Sequence, residues 1–148
     1  MKTFKLLLLL FLTSCIGANY YADLPSDKFE LSCSANKCNW TMDIKSTEDI
    51  TMAHLHCNIG IAPMNGPIGV PLFHGALQYS GTFTPDDFTK ECGWKLPIGM
   101  DTDDRFNLFY ADLDKGNIYF NIHTKQHPAG LIQGVMKKKG IFRSLKYN

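Results

Sequence analysis

Asn117-Ile118-Tyr119-Phe120-Asn121-Ile122-His123-Thr124, followed by Pro128-Ala129-Gly130 and Leu131-Ile132-Gln133-Gly134-Val135-Met136, is the stretch whose reading decides the fold. Ile118, Phe120 and Ile122 alternate with Tyr119, Asn121 and His123. Side chains on a strand point to opposite faces in turn, so this period of two predicts a β-strand. Pro128-Ala129-Gly130 marks a turn, and the next apolar run predicts a second strand.

The same reading works outward from these two strands. Phe29-Glu30-Leu31-Ser32-Cys33 and Trp40-Thr41-Met42-Asp43-Ile44-Lys45 alternate apolar and polar residues, so one face is buried and the other solvated. Ile50 to Cys57 predicts another strand, and Gly66-Pro67 a turn before Ile68 to Phe73. Leu77 to Phe83 predicts a short strand ending at Thr84-Pro85-Asp86-Asp87. One helix is expected. Asp101-Thr102-Asp103-Asp104 offers caps and acidic first-turn charges, Phe106, Phe109, Tyr110 and Leu113 recur at helical spacing, and Gly116 fits the stop. Many short strands with Gly/Pro turns predict an all-β sandwich or barrel. No internal repeat or interdomain linker divides the chain.

The N-terminus predicts export. Lys2 and Lys5 precede seven apolar residues, Leu6 to Leu12, and small residues follow to Ala18. That is a signal-peptide pattern, expected over residues 1–18, and the apolar run is shorter than the roughly 20 residues of a membrane span. Cleavage after Gly17 or Ala18 gives a secreted, soluble chain. Alternatively, Leu12-Thr13-Ser14-Cys15 resembles a bacterial lipobox, in which Cys15 becomes lipidated and tethers a cell-envelope lipoprotein. Residues 19–27 then read as a linker, 28–136 as one domain, and 137–148 as a basic, frayed tail carrying Lys137-Lys138-Lys139, Arg143 and Lys146.

Without Lys2 and Lys5 the chain has thirteen basic residues against fourteen acidic ones. That balance does not support a nucleic-acid binder. Cys33, Cys38, Cys57 and Cys92 are an even set, and an oxidising destination favours two disulfides with three connectivities open. Cys33 and Cys38 could close a hairpin, leaving Cys57 and Cys92 to tie a strand to a distant loop. Asn39-Trp40-Thr41 is a glycosylation sequon if the pathway is eukaryotic.

His54 and His56 carry the most specific chemistry. Two apart on a strand, they point the same way, while Ala53, Leu55 and Cys57 face the core. If the His123 strand pairs nearby, three imidazoles meet, a set that suits copper or zinc. Met52 shares the histidine face and could assist reduced copper. The alternative is that these histidines only donate hydrogen bonds. His74 and His127 read as surface loop residues. Tyr20, Tyr21, Trp40 and Trp94 fit either an interface or partly buried packing. There is no G-x-S-x-G elbow, no Gly-rich phosphate loop and no EF-hand spacing, and the acidic groups 86–87 and 101–104 read as helix starts.

Taken together, three segments resemble the CHRD domain, the module named after chordin. Ala53-His54-Leu55-His56 resembles the family's A-H-I-H strand, and Asn65-Gly66-Pro67-Ile68-Gly69-Val70-Pro71-Leu72 its N-G-P-V-V-x-x-L segment. Tyr119-Phe120-Asn121-Ile122-His123-Thr124 with Pro128-Ala129-Gly130-Leu131-Ile132-Gln133-Gly134 resembles Y-V-N-V-H-T…P-x-G-E-I-R-G. Leu131 and Gln133 replace the usual Glu and Arg, and Cys57 stands where Gly is usual. The resemblance implies an antiparallel β-sandwich of immunoglobulin-like or Cu,Zn superoxide dismutase-like shape with one short helix. It implies a non-catalytic extracellular binding module whose partner is an unidentified protein or surface ligand. The histidines carry the alternative, a copper- or zinc-binding, superoxide dismutase-like protein using His54, His56 and His123.

Overall fold

In the computed structural model the described residues are 17–46, 48–58, 64–95 and 101–140. Eight strands and one helix follow in order: β1 Ala18–Ala22, β2 Lys28–Ser34, β3 Lys37–Asp43, β4 Ile50–Cys57, β5 Ile68–His74, β6 Ser80–Phe83, α1 Thr102–Asp114, β7 Ile118–Thr124 and β8 Ile132–Lys138. All strand pairs are antiparallel. They form one sheet in the order β5-β4-β7-β8-β1-β2-β3-β6, and its two ends, β5 and β6, come close again. The result is a nearly closed, flattened barrel, the all-β sandwich with one helix that the alternation predicts. No helix among the described residues is long and apolar enough to cross a membrane.

The two layers meet through aromatic side chains. Phe29 of β2 stacks on Phe120 of β7 with ring centroids 4.0 Å apart, and Trp40 of β3 faces Phe73 of β5. β2 and β3 alternate buried and exposed residues without a break, so each covers the core with one face only. A second aromatic group fills the space under the helix. Phe106, Phe109 and Leu113 of α1 are buried against Phe83, Phe88 and Trp94. The Trp94 indole donates to Asp112 at 2.7 Å. Gly69 of β5 makes room for that ring, since a Cβ there would lie 2.2 Å from Trp94. Gly116, at φ +70°, ends the helix as its spacing predicts.

Two disulfides staple this frame. Cys33–Cys38 joins β2 to β3 across their hairpin, and Cys57–Cys92 ties the end of β4 to the loop before α1. Of the three open connectivities, this is the one that keeps each bridge between adjacent strands or packed neighbours. Tyr20, Trp40 and Trp94 are core residues, so of the four interface candidates only Tyr21 is partly exposed. Asn39 lies on the exposed face of β3.

Three expectations are corrected. Residues 19–27 are not a linker: β1 occupies Ala18–Ala22 and pairs with both β2 and β8. Lys137 and Lys138 are not frayed: β8 runs through them, opposite Tyr21 and Tyr20 of β1. Each lysine of that run meets an acid, Lys137 with Asp23, Lys138 with Asp114 and Lys139 with Glu30. The strand between Leu77 and Phe83 starts only at Ser80. Residues 1–16 of the expected export signal, Cys15 among them, and Arg143 and Lys146 lie outside the described residues, while Ala18 at the signal's expected end opens β1.

Candidate metal centre

β4 and β7 are neighbours in register, with His54 opposite Asn121, His56 opposite Tyr119 and Met52 opposite His123. This pairing brings the third histidine to the first two. One ring nitrogen from each of His54, His56 and His123 lies within 4.8 Å of the others, and all three residues are buried. Ala53, Leu55 and Cys57 are fully buried on the core side, as their spacing predicts. The histidine face is not solvated either. All seven residues of β7 are buried, because loops close over Tyr119, Asn121 and His123.

Those loops orient the rings. The His56 Nδ1–H donates to the Gly66 carbonyl at 2.9 Å, and the His123 Nδ1–H donates to the Pro128 carbonyl at 2.8 Å. A carbonyl can only accept, so both rings carry their proton on Nδ1 and a lone pair on Nε2. Gly66 is required where it stands: a Cβ would lie 1.6 Å from the Cys57 carbonyl oxygen. The Gly66 N–H donates to the Tyr119 hydroxyl at 3.0 Å, and the Tyr119 ring stacks on His56 with centroids 4.9 Å apart. On the other side, Gly130 at φ +128° packs over the Asn121 amide, which donates to the Ala129 carbonyl. The N-G-P and P-A-G segments thus themselves supply the two carbonyls that set His56 and His123.

The donor chemistry suits a transition-metal ion. His54 Nδ1 lies 3.1 Å from His123 Nε2. His56 Nε2 is buried with no hydrogen-bond partner among the described residues. A buried polar atom left unpaired is costly, and an ion would satisfy it. Burial first, and then the neighbouring His123, His56 and His74 in that order, together lower the His54 pKa to about 3. Burial also lowers His56, against the Gly66 hydrogen bond that raises it. Neutral imidazole is the form that ligates metal. A tetrahedral ion with bonds of about 2 Å spaces its donors roughly 3.3 Å apart, so these rings need only modest rotation to close on one.

His74 is the residue that sequence reasoning missed. It ends β5 on the exposed side, and its Nε2 lies 3.0 Å from His54 Nε2. The strand register that brings it there contains irregularities at Ala53/His54 and Leu55/His56, which no spacing rule reveals. His127 is a half-exposed loop residue 3.6 Å from Glu48, as expected.

Neither the curated proteins nor the solved structures contain a match to this chain. The family model of the CHRD domain matches residues 26–136, most of its length. With all three motif segments inside that span and the β-sandwich they imply in place, the chain belongs to the CHRD-domain family.

Proposed function

We propose that this CHRD-domain protein is an exported binding module built around a mononuclear three-histidine metal centre for copper or zinc. The observation that carries the reading is the pair of carbonyl-anchored imidazoles, His56 and His123, whose Nε2 lone pairs are buried beside His54 Nδ1. Hydrogen-bonding histidines in a structural role would pair all their buried nitrogens, and His56 Nε2 is unpaired. When bound, the ion supplies a Lewis-acid centre. The chain's own residues hold three neutral donors, fix two tautomers through backbone carbonyls and exclude bulk water from the site.

The reading is of binding, with a dismutase-like turnover as the alternative. A redox enzyme acting on an anion gains from a positive approach to its metal. Here the exported chain has thirteen basic residues against fourteen acidic ones, and Gln133 stands where the family usually has Arg. Export is part of the proposal, supported by the charged and apolar N-terminus and by two disulfides, which an oxidising compartment preserves. The soluble and Cys15-lipidated forms differ in mature N-terminus, and intact mass separates them.

The test is metal content. The purified protein, exposed to copper or zinc and then freed of loose ions, is expected to retain one equivalent per chain. His54→Ala and His123→Ala are expected to retain none while keeping the wild-type far-ultraviolet spectrum. Equal metal content in all three proteins would contradict the site.

A further inference from the structure

His54 differs from the other two histidines of the centre in what orients it. His56 and His123 each rest on a backbone carbonyl. His54 has an imidazole at both nitrogens: His123 Nε2 at 3.1 Å from Nδ1, and His74 Nε2 at 3.0 Å from Nε2.

The proton positions follow from this arrangement when all rings are neutral. His123 keeps its one proton on Nδ1 for Pro128, so its Nε2 is bare. In the ion-free protein His54 must therefore donate Nδ1–H to His123. Its Nε2 is then bare and accepts Nε2–H from His74. An ion at His54 Nδ1 reverses both assignments. The proton of a neutral His54 must then sit on Nε2, where it faces His74. His74 must accept there and carry its own proton on Nδ1. Each ring holds one proton before and after, so the change is two tautomeric shifts with no net proton gain. His74 is exposed, and water on its outer side can exchange the proton.

A carbonyl suits His56 and His123, whose tautomer never changes, because a carbonyl only accepts. His54 must change tautomer, so it needs a partner that donates in one state and accepts in the other. Among side chains, a neutral imidazole does both. Ligating histidines as a rule give their second N–H to an outer partner, which raises their basicity and fixes their orientation.

We propose that His74 is a positioning residue of the metal centre, accepting the Nε2–H of His54 and so holding that ring in the form that presents Nδ1 to the ion. This rests on the metal reading above. The probe is Zn²⁺ alone, titrated into the full chain from an oxidising expression host against a chromophoric chelator. Long-range ¹H–¹⁵N spectra report the histidine tautomers.

His74→Ala is expected to weaken zinc binding about 10- to 100-fold. His74→Gln, whose amide can either donate or accept, is expected to stay within a few-fold of wild type. The His54 proton is expected on Nδ1 without zinc and on Nε2 with it. Wild-type affinity in His74→Ala, or a zinc-loaded His54 still protonated on Nδ1, would overturn the role of His74 and leave the metal centre standing. Absence of zinc uptake by the wild type would overturn the metal centre itself.

Discussion

His54 is a buried titratable group whose charged form the fold disfavours, and that has a consequence in the ion-free protein. Its folded-state pKa of about 3 lies below the 6.5 of an unfolded histidine. Between those values the unfolded chain binds more protons, so stability is fully present above about pH 6.5 and is lost as pH falls toward 3. His56 shifts in the same direction. In chelator-containing buffer, the melting temperature of the wild type is expected to fall more steeply between pH 7 and pH 4.5 than that of His54→Gln. Parallel curves would show that His54 is not held neutral by the fold. At this scale much of the centre was readable. H-x-H on a strand places two rings on one side by period alone, and His123 shares that logic on its partner. His74 was not readable, because two register irregularities between β4 and β5 decide what it meets.

At the scale of elements, the turns hold the site as firmly as the strands do. Gly66 brings its carbonyl to His56 only because its missing Cβ lets the backbone approach Cys57. Gly66→Ala is expected to cost about 1–3 kcal/mol of stability and to weaken metal binding at the same time. Thermal melts and zinc competition check both, and a variant neutral in each would contradict the account. The disulfides act unequally. Cys57–Cys92 closes 35 residues and Cys33–Cys38 only 5. By chain entropy the longer loop is worth about 4 kcal/mol and the shorter about 2. Denaturant unfolding of the paired Cys→Ser variants is expected to rank them in that order, and the reverse ranking would count against it. The alternation of β2 and β3 made their inner faces legible residue by residue. The lysine run at 137–139 reads as a tail in the sequence because its charge says nothing of the backbone pairing that places Lys137 and Lys138 in β8. Exposed ion pairs such as these contribute little each, so it is the pairing with β1 that holds β8 in place there.

At the scale of the whole molecule, the family match begins at residue 26, but the sheet begins at Ala18. β1 fills the position between β8 and β2, and without it each would lose its ladder partner on one side. A chain starting at residue 26 is expected to fold less cooperatively and to be cleaved faster by protease than one starting at residue 18. Equal protease resistance would show β1 to be dispensable. That strand leaves no period in the sequence, because only Tyr20 and Ala22 of its five residues are buried. The strand order was also beyond the sequence, since it depends on which long-range pairs form, while the all-β class followed from local alternation. The central claim is that β4 and β7 are paired so that three histidines hold one ion. X-ray absorption at the metal edge of the copper- or zinc-loaded protein tests it most directly. The account expects the outer-shell scattering of three imidazoles around a single ion. A first shell of oxygen donors, or the signature of no more than one imidazole, would contradict it.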